Sequence, residues 1–204
     1  MQFPDFYRAV PRLKVRDALA AFLGAAEDGV IEYGYEDAVK LAGHSCPTVG
    51  SAYLLTRHAL TALYPDGLPE RGGVRVEFRN RLEDGVTGVI ASVVTLLSGA
   101  AQDGGFKGLA GRHVRRGLQQ FAVDLPLALR FTRLDTGAAV DAEADLSTVP
   151  ADPAMPSLMA RCLMGEADAD EQRQFGLLWQ DRVRRILLDH GNDPEVFRIR
   201  PSSA

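Results

Sequence analysis

The chain has 204 residues, of which 46% are hydrophobic, so it is long enough to form one large domain with a substantial core. Its formal net charge of −4 gives no electrostatic basis for binding nucleic acid. The most apolar stretch, residues 86–97, is too short and too interrupted to span a bilayer, so we expect no membrane partner.

The cysteine content and the first residues indicate a cellular compartment. Cys46 and Cys162 are too few for a disulfide scaffold in a chain of this length, which favours a reducing environment. Residues 1–5 lack the basic and apolar regions of a signal peptide. We therefore expect a cytoplasmic protein, with a single domain over residues 1–192 and a C-terminal tail over residues 193–204.

The apolar pattern in the first part of the chain predicts three helices. Residues 13–28 carry leucine and phenylalanine at near-helical spacing, and residues 35–41 form a shorter repeat of the same kind. The clearest pattern runs over residues 49–64. Either Thr48 as the N-cap or Pro47 in the first turn could begin this third helix.

The middle of the chain predicts a sheet, and its end predicts helices. Residues 74–79 alternate apolar and charged side chains, which is typical of a strand with one buried face. Residues 86–97 fit a strand or a buried helix, and their periodicity does not decide between the two. Further strands are expected at residues 118–121, 127–132 and 138–144, and further helices at residues 157–164 and 168–190. This order predicts an α+β fold in which helices flank a mainly antiparallel sheet.

The motif Gly43-His44-Ser45-Cys46-Pro47 is the most informative feature for function. A soft thiolate and an imidazole on one short turn can bind a transition metal together. A helix beginning directly after the turn would favour the thiolate form of Cys46. Because a structural zinc site needs four protein ligands, the spacing indicates an open site completed by water, substrate or a carboxylate. Two alternatives stay open: a metal-free reactive thiol, and a buried cysteine beside a histidine that bonds the backbone.

Other residues could contribute to such a site. Candidates for further ligands are Cys162, His113, His190, Glu77 and Asp84. Apolar neighbours favour a core position for Cys162, and His58 is expected to face solvent because it lies opposite Val49 on a helical wheel. The glycine-rich segment 104–108, which contains Lys107, could hold a phosphate or carboxylate, although a plain surface turn is favoured.

Taken together, these features resemble the family of the E subunit of formylmethanofuran dehydrogenase. The hallmark of that family is a Gly-His-x-Cys-Pro turn followed by a helix, which residues 43–64 match. Supporting similarities occur at residues 98–101 and 105–108, at the strand and Thr-Gly turn of residues 130–137, and at the closing helix of residues 170–188. The resemblance covers roughly residues 13–190.

The resemblance implies an α+β domain, often a dimer, that holds zinc or another late transition metal such as nickel. His44 and Cys46 would be metal ligands, and Lys107 would belong to a pocket for a small anionic ligand. The chain departs from the family pattern because Val89 and Ala100 occupy positions where relatives carry cysteines. Many relatives also carry a cysteine-rich, zinc-binding tail, and nothing after His190 resembles one.

We therefore expect a cytoplasmic metal-binding protein, homodimeric by resemblance, whose enzymatic activity is left open. One alternative is an accessory protein that carries a metal or cofactor to a metalloenzyme, because a site with few ligands releases its metal quickly. Another is a metal-free enzyme in which Cys46 is the nucleophile.

Overall fold

The computed structural model describes residues 3–202, and over that range the chain forms an α+β fold with six α-helices and two sheets. The helices are α1 (Ala18–Phe22), α2 (Tyr35–Ala42), α3 (Pro47–Leu63), α4 (Thr87–Ser98), α5 (Met155–Met164) and α6 (Ala169–Arg184). The strands are β1 (Leu13–Arg16), β2 (Val30–Tyr33), β3 (Val74–Phe78), β4 (Gln119–Gln120), β5 (Leu129–Arg133), β6 (Ala139–Ala144) and β7 (Phe197–Pro201).

The larger sheet has the strand order β4-β3-β5-β6-β7, and β1 and β2 form a separate antiparallel pair. Strand β4 pairs in parallel with β3, whereas β3, β5, β6 and β7 pair successively in antiparallel register. The predicted fold class, a mainly antiparallel sheet with flanking helices, is thereby confirmed. No described helix is both long enough and apolar enough to cross a membrane.

Helix α3 is the central element of the core. Residues 49–56 are buried without interruption, so its N-terminal half is packed on all sides and not along one face alone. It contacts α2, α4 and α6 as well as strands β5, β6 and β7. The inner face of the sheet supplies fully buried side chains such as Val76 and Phe131 to the same core.

The apolar segment that periodicity could not assign is a helix. Residues 87–98 form α4, which packs along α3 and ends at Gly99 with a φ of 72°. Val93 and Val94 are buried in this position. A strand of the same residues would need a neighbouring strand for its backbone groups, whereas a helix satisfies them internally.

The helix predicted over residues 13–28 is wrong at its start. Leu13–Arg16 forms β1, where the buried Leu13 and Val15 alternate with exposed residues and the backbone pairs with β2. Ala18–Phe22 is the α-helical part of this range, because the Asp17 carboxylate accepts hydrogen bonds from two backbone N–H groups and begins the helix there.

The predicted tail also needs correction. Within residues 193–204, Phe197–Pro201 forms β7, an edge strand that pairs with β6 and buries Phe197 in the core. Residues 203 and 204 of that tail lie outside the described residues, as do residues 1 and 2 of the N-terminal segment.

A buried ion network attaches the N-terminal segment to the rest of the fold. The Asp17 carboxylate accepts hydrogen bonds from Arg115 Nη2 at 2.7 Å and from Arg71 Nη1 at 3.0 Å. Burial raises the pKa of Asp17, but the Arg71 hydrogen bond, a backbone N–H and the charges of both arginines together hold it below its ordinary value. Gly72 is required beside this network, because a Cβ there would lie 1.8 Å from Arg115 Nη1.

We expect Asp17→Asn to lower the free energy of unfolding at neutral pH by about 3 kcal/mol, because two arginines lose their buried counter-charge. Asparagine still caps α1, so the cap itself is preserved. Because the folded-state pKa of Asp17 is lowered, its contribution is present above the unfolded-state value of about 3.9 and is lost as the pH falls through the folded-state value.

Urea unfolding of wild type and variant over a pH series checks this prediction, and the wild type should show the steeper loss of stability in acid. Asp135→Asn is the matched control, since its side chain is 61% exposed and its pair with Arg133 should contribute at most about 1 kcal/mol. Equal effects of the two substitutions would contradict a special role for Asp17.

Candidate functional site

The Gly43–Pro47 turn connects two helices with very few residues. Helix α2 ends at Gly43, whose φ of 76° lies in the left-handed region that glycine adopts without strain. Helix α3 begins at Cys46, which is the N-cap, and Pro47 occupies the first turn. Of the two predicted starts, Pro47 in the first turn is therefore confirmed and Thr48 as the N-cap is wrong.

Ser45 holds the turn in place through its hydroxyl group. Tyr35 Oη lies 2.8 Å from Ser45 Oγ, and the Ser45 hydroxyl donates to Gln180 Oε1 at 3.1 Å. Since the single Ser45 hydrogen is used on Gln180, Tyr35 is the donor to Ser45. Burial raises the pKa of Tyr35, which keeps its phenol protonated and able to donate.

The backbone of the turn is fixed as well. Trp179 Nε1 donates to the carbonyl oxygen of Ser45 at 2.9 Å, and Tyr7 donates to the Gln180 side chain at 3.3 Å. These contacts join the turn to α2, to α6 and to the 3-10 helix Asp5–Ala9. Three separate segments therefore determine where the turn lies.

His44 and Cys46 have different environments on this turn. His44 is exposed, and its Nδ1 lies 3.0 Å from the carbonyl oxygen of Ala42. Because a carbonyl oxygen only accepts, Nδ1 carries the proton and Nε2 carries the free electron pair. Cys46 is 9% exposed, and its Sγ accepts a hydrogen bond from the Val49 N–H at 3.4 Å.

The described residues do not form a closed metal site at this turn. His44 Nε2 and Cys46 Sγ are both chemically able to bind a late transition metal. Over residues 3–202, however, no three histidine, cysteine, aspartate or glutamate side chains are grouped so that they could hold a metal ion. Protein ligands beyond these two are not placed at the turn.

The other predicted site residues lie elsewhere. Lys107 is exposed, and it does not line the cleft of about 500 Å³ beside its glycine-rich loop, where Arg71 and Arg115 supply the cationic groups. A second pocket, of about 160 Å³, is bounded by Pro47 and Trp179 next to the turn. The cleft and this pocket share no lining residue.

Two further expectations are corrected. His58 does not face solvent freely, because it is half-buried and its Nε2 donates to the Gly191 carbonyl oxygen at 2.7 Å. Burial lowers the pKa of His58. Cys162 is only half-buried and lies outside the main hydrophobic core, on a helix whose Leu163 is 81% exposed.

Sequence patterns did not identify the residues that position the turn. Trp179 and Gln180 fall within the helix predicted over residues 168–190, and nothing in the sequence marks them further. Their contacts with Ser45 span 134 and 135 residues of sequence. Only tertiary packing brings these groups together.

Comparisons with known proteins do not identify a family. No family model matches the chain, and no curated protein matches it at a significant level. The resemblance to the formylmethanofuran dehydrogenase E subunit therefore rests on the motifs described above.

Ser45→Ala should lower the free energy of unfolding by about 1–3 kcal/mol, because the buried hydroxyl of Tyr35 loses its acceptor. Ser51→Ala is a closely matched control: Ser51 is 7% exposed against 8% for Ser45, but its hydroxyl bonds only a carbonyl oxygen of its own helix. Thermal and urea unfolding measure both effects. A loss at Ser51 as large as that at Ser45 would contradict the proposed role of the turn network.

Proposed function

We propose that this protein binds a late transition metal, zinc or nickel, in an open site formed by His44 and Cys46. The observation that carries the proposal is the hydrogen bond between His44 Nδ1 and the Ala42 carbonyl oxygen. Histidines that bind metals usually donate their other ring N–H to such an acceptor, which fixes the ring and its tautomer. The free Nε2 of an exposed imidazole is then available to a metal.

The environment of Cys46 supports the same proposal. Its sulfur accepts a helix N–H and lies at the N-terminal end of α3, where the helix dipole favours negative charge. The thiolate is the form of cysteine that binds metals. Two residues of separation place both donors on the same turn between α2 and α3.

With two protein donors, the remaining coordination positions would be taken by water, a small anionic ligand or a carboxylate. A metal bound in this way supplies Lewis acidity or a bound water of lowered pKa. The same open coordination also suits an accessory protein that transfers a metal or cofactor. The likeness to the formylmethanofuran dehydrogenase E subunit, a cytoplasmic location and a single domain belong to the same proposal.

We also propose that the protein forms a homodimer through the C-terminal end of α5. Leu163 and Met164 in the last turn of α5 are 81% and 65% exposed. Exposed apolar side chains grouped in this way are typical of a protein–protein contact. Sedimentation should give a dimer for the wild type and a monomer for Leu163→Asp, whereas Leu134→Asp, at a 51% exposed turn position, should leave the dimer intact.

Metal content measured by mass spectrometry tests the metal site. Wild-type protein expressed with added zinc or nickel should carry close to a stoichiometric amount of metal, and His44→Ala and Cys46→Ser should each lose most of it. Serine is chosen because it is a favoured N-cap, so α3 keeps its start while the soft ligand is removed.

The matched controls remove the same residue types elsewhere. Cys162→Ser should keep the metal, and so should His113→Asn, in which asparagine tolerates the positive φ of 59° at that position. Metal-free wild-type protein, or metal retained by both turn variants, would overturn the proposed site.

A further inference from the structure

A small apolar pocket lies directly against the Gly43–Pro47 turn. Its walls are Pro47 from the start of α3, Met155, Pro156 and Met159 from α5, and Trp179 and Arg182 from α6. Trp179 is held in place because its Nε1 donates to the Ser45 carbonyl oxygen at 2.9 Å. The pocket is thus built from three helices and has one fixed aromatic wall.

The dimensions of the pocket limit what it can hold. Its volume is about 160 Å³, and an apolar protein cavity of about 150 Å³ accommodates a benzene molecule. The occupant is therefore the size of a single six-membered ring with a short substituent. Methionine and tryptophan side chains make favourable contacts with such a ring.

Arg182 is the charged residue in the wall of this pocket. Its Nε donates to the Val149 carbonyl oxygen at 2.8 Å, and its Nη2 lies 3.4 Å from the Leu146 carbonyl oxygen. In the part of the chain that the structure describes, Arg182 pairs with no carboxylate, and its Nη1 has no hydrogen-bond partner.

Two arginines that follow Arg182 in the sequence do pair with a carboxylate. Arg184 and Arg185 both pair with Asp181, on the same helix as Arg182. The pKa of Arg182 is lowered by its burial and by the positive charge of Arg185. A partly buried guanidinium without a counter-ion favours an anion, and its free Nη1 can donate a charge-assisted hydrogen bond to one carboxylate oxygen.

We propose that this pocket binds a small aromatic carboxylate, with its ring between Trp179 and the methionines of α5 and its carboxylate on Arg182. The proposal goes beyond the metal site and does not depend on it, because none of the pocket residues is a proposed metal ligand. It differs from the sequence-based expectation in that Arg182, and not Lys107, receives the anionic group.

Methyl NMR of the full chain labelled at methionine tests the proposal, with benzoate as the probe and chelator-treated protein as the sample. Met155 and Met159 line the pocket, whereas Met164 is 65% exposed and outside it. Benzoate should shift the methyl signals of Met155 and Met159 saturably, with a dissociation constant of about 1 mM, while the Met164 signal stays in place. Benzyl alcohol, which has the same ring without the charge, should bind about tenfold more weakly.

Arg182→Gln should weaken benzoate binding by about tenfold, the loss expected for a charge-assisted hydrogen bond, and should leave benzyl alcohol binding nearly unchanged. Arg184→Gln is the control on the same helix and should bind benzoate like the wild type. If Arg182→Gln does not fold, the affinities of the wild-type protein for benzoate and benzyl alcohol test the proposal by themselves. The proposal is overturned by the absence of a saturable shift, by equal affinity for the two probes, or by equal benzoate affinity of the two arginine variants.

Discussion

The burial of helix α3 is the constraint on which the rest of the structure depends. Residues 49–56 are enclosed by other helices and by the inner face of the sheet, so the helix has no freedom to slide or rotate within the core. Its N-terminus must then lie at a fixed point. Cys46 caps that end and Pro47 continues it, which places the thiol where the central helix of the core begins.

The turn before α3 is held in position by the packing of that helix and by its own hydrogen bonds. Tyr35 of α2 and Gln180 of α6 form hydrogen bonds with the Ser45 side chain, and Trp179 of α6 donates to its carbonyl oxygen. Helices α2 and α6 are therefore both bonded to the serine that precedes α3. Trp179 also forms a wall of the apolar pocket. The proposed metal donors and the proposed carboxylate pocket are therefore held by one set of contacts, although they use different residues.

The sequence predicts most of the fold and less of the site. Alternation over residues 74–79 identifies a strand with one buried face, and the apolar series over residues 49–64 identifies α3. The strand at residues 13–16 was missed because Leu13 was assigned to a helical series with Leu19 and Phe22. Strand β7 was missed because its five residues lie beyond the last predicted helix, where a tail was expected. The motif singled out His44 and Cys46. Arg182 could not be singled out, because only the folded structure shows that it forms no ion pair within residues 3–202.

Absorption spectroscopy of the cobalt(II)-loaded protein tests the two-donor site most directly, because a thiolate bound to cobalt gives a charge-transfer band that nitrogen and oxygen ligands do not. We expect a band of the intensity of a single thiolate in the wild type and in Cys162→Ser, and its loss in Cys46→Ser. Histidine ligation should be visible as a change of the cobalt spectrum in His44→Ala. A wild-type spectrum without the thiolate band, or one that is identical in Cys46→Ser, would contradict metal binding at this turn.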